Sequence, residues 1–484
     1  MEYSYPRLRQ AGWLHWLGLG LLIAAGALGF GALVAYSPPL AAGAWLGVLL
    51  LWKAARRLEW VALALFFIVP LGRLTWFDSQ GNLDATKFVV AALAMGWALR
   101  CMFARDSKLM TVWTESPVSV WMLFFLLVNM VSLLYVYAPG KGILGLLRAI
   151  ALFGMYILMV ALVRSKRDVK IALVLLLASG FITCLIGLWE ATTHQYLWDQ
   201  LGQDRIMPAQ LMTPYGSGGG PQNAMIRIIS VFIDANYMGG YMAVLFGITA
   251  GCALAWRNWY VRVVLGGLML VILYCAILTG SRGGIIGLLV TMLALLVFSK
   301  LRIKWFILTA IVIGALAVFP IVDQVVPQFR GGISIEDLKR DQRYGYWQMA
   351  LHMMADHPIT GVGTDNFPAL YSFYRVSPAL MEKYYCHNIY LQMWAECGIF
   401  GLIAIIALVL AVILTYLAAL REATDPSWRA LVLGLLAAFL GYAVFSASCN
   451  TLRDQPFWIL MALSVIVLRA TRRYPDGAML QPGQ

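Results

Sequence analysis

Residues Gly398–Leu420 read GIFGLIAIIALVLAVILTYLAAL, and nothing in that run carries a charge. As a helix the run would reach about 35 Å, more than the roughly 30 Å of hydrocarbon in a bilayer. Comparable apolar runs recur along the whole chain. Membrane spans are expected at 12–35, 40–53, 58–76, 84–103, 117–137, 142–163, 170–190, 228–256, 262–279, 283–299, 304–322, 398–420, 428–447 and 456–469. The composition agrees: of 484 residues 61% are hydrophobic and 12% charged, whereas a soluble domain has about a quarter of its residues charged. Mean hydropathy is +0.78. A soluble enzyme, a nucleic-acid-binding domain and a secreted disulfide scaffold are excluded. The expected fold class is an all-α polytopic membrane protein with about 14 transmembrane helices and a helical extracytoplasmic cap loop.

The net charge of +13 reads as topology rather than as affinity for nucleic acid. Alternate connections between the expected spans hold 22 of the 36 basic residues and only 8 of the 23 acidic ones. Arg164, Lys166, Arg167 and Lys170 form one such cluster, and Lys300, Arg302 and Lys304 another. The opposite side is nearly neutral. Positive residues collect on the cytoplasmic side, so both termini are expected there. No cleavable signal peptide is evident. The seven cysteines show neither metal nor disulfide spacing and read as small buried side chains.

The expected organisation is an N-terminal bundle at 1–190, an outer loop at 191–226 containing Gly216–Pro221, and central spans at 227–322. A large outer loop at 323–397, C-terminal spans at 398–470 and a polar tail at 471–484 follow. Loops this long are often functional. Within the second loop, Arg343–Leu351 has helical spacing that His357-Pro358 ends. Gly361-Val-Gly363 reads as a turn, and His387, Tyr390, Leu391 and Trp394 fall on one helical face.

The candidate chemistry lies at the outer ends of the spans. Arg282 sits in the glycine-rich break Thr279-Gly-Ser-Arg-Gly-Gly284, where a new helix begins. An arginine beside a helix N-terminus suits a phosphate, gripped by two parallel hydrogen bonds; the alternative is a tight turn whose guanidinium snorkels to the surface. Arg227 precedes Asp234-Ala-Asn236, a polar pair read as two turns inside a span. Arg148 and Arg453 are further candidates, with an Arg453–Asp454 local contact as the bland explanation of the latter. His387, followed by Asn388, has the right ordinary pKa to take a proton from a hydroxyl, although a helix cap or a packed ring would also account for it. Glu396 would orient His387 or be a solvated end-of-helix charge. No Walker loop, outward Asp-x-Asp pair or metal-spaced cluster occurs, so neither cofactor nor metal is expected. The combination suggests transfer from a pre-activated lipid diphosphate outside the cytoplasm.

His387-Asn388, nine residues, Gly398, two residues and Gly401 resembles the signature of O-antigen ligases. Arg343 through Trp347, Asp356 through Phe367, the Gly-Ser-Arg282 turn and Arg227 with its Asp-x-Asn are similar to the same superfamily, ligases and polymerases together. The resemblance runs from about residue 225 to 405. It implies an inverting, metal-independent glycosyltransferase using a glycan on undecaprenyl diphosphate, with His387 as general base and Arg227 and Arg282 on the diphosphate. Arg343, Asn388, Glu396, Asp234, Asn236 and Arg453 would support them. The implied partners are the lipid-linked donor, a glycan or lipid acceptor, membrane lipids and a chain-length regulator, with no nucleic acid. Fourteen spans differ from the twelve expected of ligases and favour a polymerase; a transporter is the reading from another class.

Overall fold

The computed structural model describes residues 58–71, 89–91, 93–97, 117–197, 227–232, 234–299, 342–376 and 385–473. All regular structure among them is helical: α1 Leu58–Leu71, α2 Pro117–Ser132, α3 Pro139–Leu162, α4 Lys166–Thr193, α5 Ala235–Ala255 and α6 Trp259–Leu278. After these come α7 Arg282–Phe298, α8 Gln342–Asp356, α9 Ile389–Glu422, α10 Pro426–Phe445 and α11 Gln455–Arg473. Short helical turns occupy Phe367–Leu370, Tyr371–Tyr374 and Thr451–Arg453. Seven helices, α2 to α6 with α9 and α10, are long and apolar enough to cross a membrane, while α1 and α7 are apolar but shorter. The spans expected at 12–35, 40–53 and 304–322, most of 84–103, and the Gly216–Pro221 stretch lie outside the described residues. The polar tail expected from 471 starts later, since α11 continues to Arg473.

Short polar side chains start most of these helices. Ser165 and Asp168 form a reciprocal capping box on α4. Asp234, Asn258, Ser281, Asn388 and Asp425 accept backbone N–H groups at the starts of α5, α6, α7, α9 and α10. Each cap stabilises a helix by about 1 kcal/mol, and together they fix where the chain turns.

Two expected boundaries need correction. The span read at 228–256 begins only at Ala235, because Ile228–Phe232 is non-helical. Its apolar side chains are buried, and the buried Glu190 carboxylate accepts Ile229 N–H at 2.9 Å and Ser230 N–H at 2.8 Å. Asp234 therefore caps α5 and does not lie two turns inside it. The span read from Gly398 begins at Ile389, with a break at Gly398 where φ is 66°.

At the centre of the bundle is α5, whose apolar window is 89% buried; the peripheral α6 reaches 22%. Lipid tails give no hydrophobic drive for helix association, so close packing of small residues has to supply it. A β-carbon on Gly251 would lie 2.8 Å from Gly434 Cα, and one on Gly287 would lie 2.8 Å from Gly441 O. These contacts press α5 and α7 onto α10, backbone to backbone. α9 instead packs chiefly on α2 and α11.

Candidate active site

The first polar cluster grows from the start of the α5–α7 seam. Gly239 on α5 accepts the Thr279–Ser281 turn so closely that its own β-carbon would sit 2.7 Å from Ser281 Cβ. Arg227 crosses this junction, donating from Nε to Thr279 O at 2.8 Å and from a terminal nitrogen to Asn236 Oδ1 at 3.2 Å. Asp234 Oδ1 in turn receives Asn236 N–H at 2.6 Å and Asn236 Nδ2 at 2.7 Å. Arg227, Asp234 and Asn236 thus form one network. Arg282 is exposed at the first position of α7, directly after the Ser281 cap. Arg343 opens α8, and its charge reaches Cys449, where it opposes burial and the fields of Asp234 and Asp454, which raise the thiol pKa.

His387 is half-buried and left-handed, with φ 53°. It therefore stands outside α9 and is not part of the helical face that its spacing suggested. Asn388 Oδ1 takes the N–H groups of Tyr390 at 3.0 Å and Leu391 at 3.2 Å, so His387 is the last residue before the cap. Ile389 N–H donates to Ser446 O at 3.1 Å, tying this strand to the exit of α10. The His387 ring lies 5.9 Å from that of Tyr346 on α8. Ser448 on the same α10 exit lies against Gly283 of α7. The capped starts of α5, α7 and α9 and the end of α10 hence share one end of the bundle.

A second cluster forms around Asp365, which the sequence did not single out. The loop 358–367 wraps the break in α9: Ile399 N–H donates to Pro358 O at 2.9 Å, Val362 N–H to Ala395 O at 3.0 Å and Gly363 N–H to Glu396 O at 2.8 Å. Asp365, left-handed at φ 59°, then pairs with Arg148 at 3.0 Å and with Arg453. The Tyr385 ring covers Arg453 at 4.1 Å. Burial, followed by the neighbouring Arg148 charge, holds the Arg453 pKa below its usual value, and the group stays cationic at neutral pH. Burial and then Glu396 push the Tyr385 hydroxyl up, while Arg148 pulls it down.

Two expected contacts are corrected here. Glu396 neither orients His387 nor meets solvent: it is 4% exposed and accepts Asp365 N–H at 3.0 Å, Phe367 N–H at 3.1 Å and Gln392 Nε2 at 3.2 Å. One helical turn separates Glu396 from Gln392, and His387 lies before the helix begins. Arg453 does not pair with Asp454, because the tight Thr451–Arg453 turn points the neighbours apart and Asp454 accepts from Tyr442 Oη at 2.9 Å. The available signal for Asp365 was an Asp-Asn pair next to two glycines, a sequence suited to left-handed backbone. Among the described residues, no three His, Cys, Asp or Glu side chains are grouped to hold a metal ion.

Residues 267–406 match the protein family described as O-antigen ligase. The matched stretch includes Arg282, Arg343, His387, Asn388 and Glu396 and leaves Arg227, Asp234, Asn236 and Arg453 outside it. No curated protein matches the chain. The family match supports a place in the O-antigen ligase and polymerase superfamily.

Proposed function

We propose, with the O-antigen ligase match as premise, that the protein is a membrane glycosyltransferase that polymerises lipid-linked oligosaccharide repeat units. The donor would be a glycan on undecaprenyl diphosphate, and the reaction would take place on the periplasmic face of a bacterial inner membrane. The observation that carries the reading is the strained His387, which stands immediately before a capped helix at the end of the bundle that also bears Arg227 and Arg282. A left-handed histidine costs about 1–3 kcal/mol, and such strain tends to persist where it serves a site.

In this chemistry the acceptor hydroxyl gives its proton to an imidazole nitrogen of His387 while its oxygen attacks the anomeric carbon from the face opposite the diphosphate. The bond from that carbon to the diphosphate oxygen breaks, and the electron pair leaves with the lipid diphosphate. Arg227 and Arg282 balance the charge that develops there. Asn388 holds the start of α9 so that His387 keeps its orientation. No metal is needed in this account, since the two guanidinium groups supply the cationic charge.

The test is to reconstitute purified protein in lipid with one native lipid-linked repeat unit and separate the glycolipids on a gel. A ladder of longer chains supports polymerisation. A single new product, formed only after lipid A core or a protein acceptor is added, assigns the chain to the ligases. Uptake into vesicles without any covalent change overturns both readings in favour of transport.

A further inference from the structure

Between α2, α3, α9 and the 446–458 segment lies a cavity of about 60 Å³. Its polar wall includes Asp365, Glu396, Gln392, Asn450, Arg148 and Arg453, and its apolar wall includes Phe125, Leu152 and Trp458. Two of these polar groups are incomplete. Gln392 Oε1 and Asn450 Oδ1 are buried without any hydrogen-bond partner, and each residue is only 3% exposed. Gln392 cannot be satisfied by reversing its amide, because its Nε2 already donates to Glu396, whose two oxygens accept backbone N–H groups. A buried acceptor left alone costs about 1–3 kcal/mol, so these two oxygens lack donors.

The charge balance narrows what supplies them. Asp365 already binds both guanidinium groups, and two acceptors without donors repel a phosphate, whose oxygens only accept. The Arg227 and Arg282 region differs in having arginines at a helix start. Hydroxyl groups are uncharged donors, and a pyranose presents several of them beside an apolar C–H face that fits against an indole. The cavity is linked to the first cluster through its walls: Gln392 N–H donates to Asn388 O at 2.9 Å, next to His387, and Tyr237 Oη on α5 donates to Asn450 O at 3.1 Å.

We infer that this cavity is the subsite for the acceptor sugar, an uncharged pyranose edge whose hydroxyl groups donate to Gln392 Oε1 and Asn450 Oδ1 while its apolar face rests near Trp458. The assignment rests on the glycosyltransferase reading and adds a division of labour, with the diphosphate held by Arg227 and Arg282 and the acceptor held here. Gln392 and Asn450 are binding residues in this scheme, and His387 alone takes the proton.

The test uses reconstituted full-length protein, native lipid-linked donor at a fixed level, and a delipidated oligosaccharide of the same repeat unit as soluble acceptor. Gln392→Met and Asn450→Leu remove the two orphaned acceptors while keeping bulk; Gln392→Met also removes the Nε2 donor to Glu396. Each should raise the acceptor KM roughly tenfold and leave the donor KM unchanged; Asn450→Leu should also leave the melting temperature unchanged or raised, since an orphaned buried acceptor has been removed. An unchanged acceptor KM in both variants, or a lowered melting temperature with KM and kcat moving together, overturns the subsite and leaves a water-filled structural cavity. If wild type transfers no sugar, the function reading fails. The subsite is then judged separately, by photocrosslinking a diazirine derivative of the same oligosaccharide: labelling of the 385–396 or 450–458 peptides that is lost in Asn450→Leu sustains a sugar site, and labelling elsewhere or none overturns it.

Discussion

Among the described residues four non-glycine positions have positive φ: His194, Ser230, Asp365 and His387. Ser230 is held by the Glu190 carboxylate and by its own hydroxyl on Thr183 O at 2.7 Å, so its strain has a structural reason. Asp365 and His387 stand instead beside the polar clusters. His387→Ala is expected to abolish glycan transfer while membrane insertion holds and the melting temperature changes little, because alanine bears the same left-handed backbone at φ 53° at a similar cost and lacks the imidazole. Transfer at the wild-type rate would remove the proposed base. Arg282→Lys should lower kcat/KM by ten- to a hundredfold, since a point charge cannot reproduce a two-pronged grip on a phosphate; full activity would withdraw the diphosphate role. Asp365→Ala leaves Arg148 and Arg453 facing each other without their shared carboxylate. In a double-mutant cycle with Arg148→Ala, thermal unfolding should report a coupling of about 1–3 kcal/mol, and an additive pair would show that the bridge contributes nothing.

At the scale of elements, the break in α9 has a specific cause. Gly398 is left-handed, and a β-carbon there would strike Ile359 O; one on the left-handed Gly361 would strike the Glu396 backbone. Gly398→Ala should therefore undock the loop 358–367 and destabilise the protein by at least about 1–3 kcal/mol, seen as a lower melting temperature and faster proteolysis within 358–367. Unaltered protection would mean that the loop docks without the break. This region also shows what could be read from sequence. The helix at Gln342–Asp356, its end at His357 and the Gly361–Gly363 turn follow from local spacing and from proline and glycine chemistry. That the helical pattern read at His387–Trp394 runs on into the span from Gly398 as one element does not, because hydropathy marks where lipid contact begins and Ile389–Cys397 is mixed in character. Glu396 was misread for the same reason: its partners are backbone N–H groups of a loop some thirty residues earlier, and no local pattern records such a pairing. The position of Arg282 at the start of a helix was legible because a polar residue at the edge of an apolar run needs a local explanation.

For the molecule as a whole, α5, α7 and α10 form a seam in which glycines replace side-chain interdigitation. Gly434→Leu would drive a side chain into Gly247 O and Gly251, both already about as close as backbones approach, with a β-carbon alone at 2.6 Å. The expected result is failure to accumulate as a monodisperse species in detergent, whereas Gly266→Leu on the outer α6, which has open space around it, should purify normally. Equal behaviour of the two variants would show that the seam does not carry the fold. The proposed diphosphate clamp is mounted on this seam, at the starts of α5 and α7. His387 precedes α9, which leans mainly on α2 and α11 and meets the α10 exit through Ile389 N–H on Ser446 O. On the proposed chemistry the two halves of the reaction are therefore carried by different sets of helices, and a slide of one set past the other changes the gap between nucleophile and leaving group without altering a single residue that lines it. On that chemistry, a change in bilayer thickness that shifted one set against the other would change the rate, with every lining side chain left as it is.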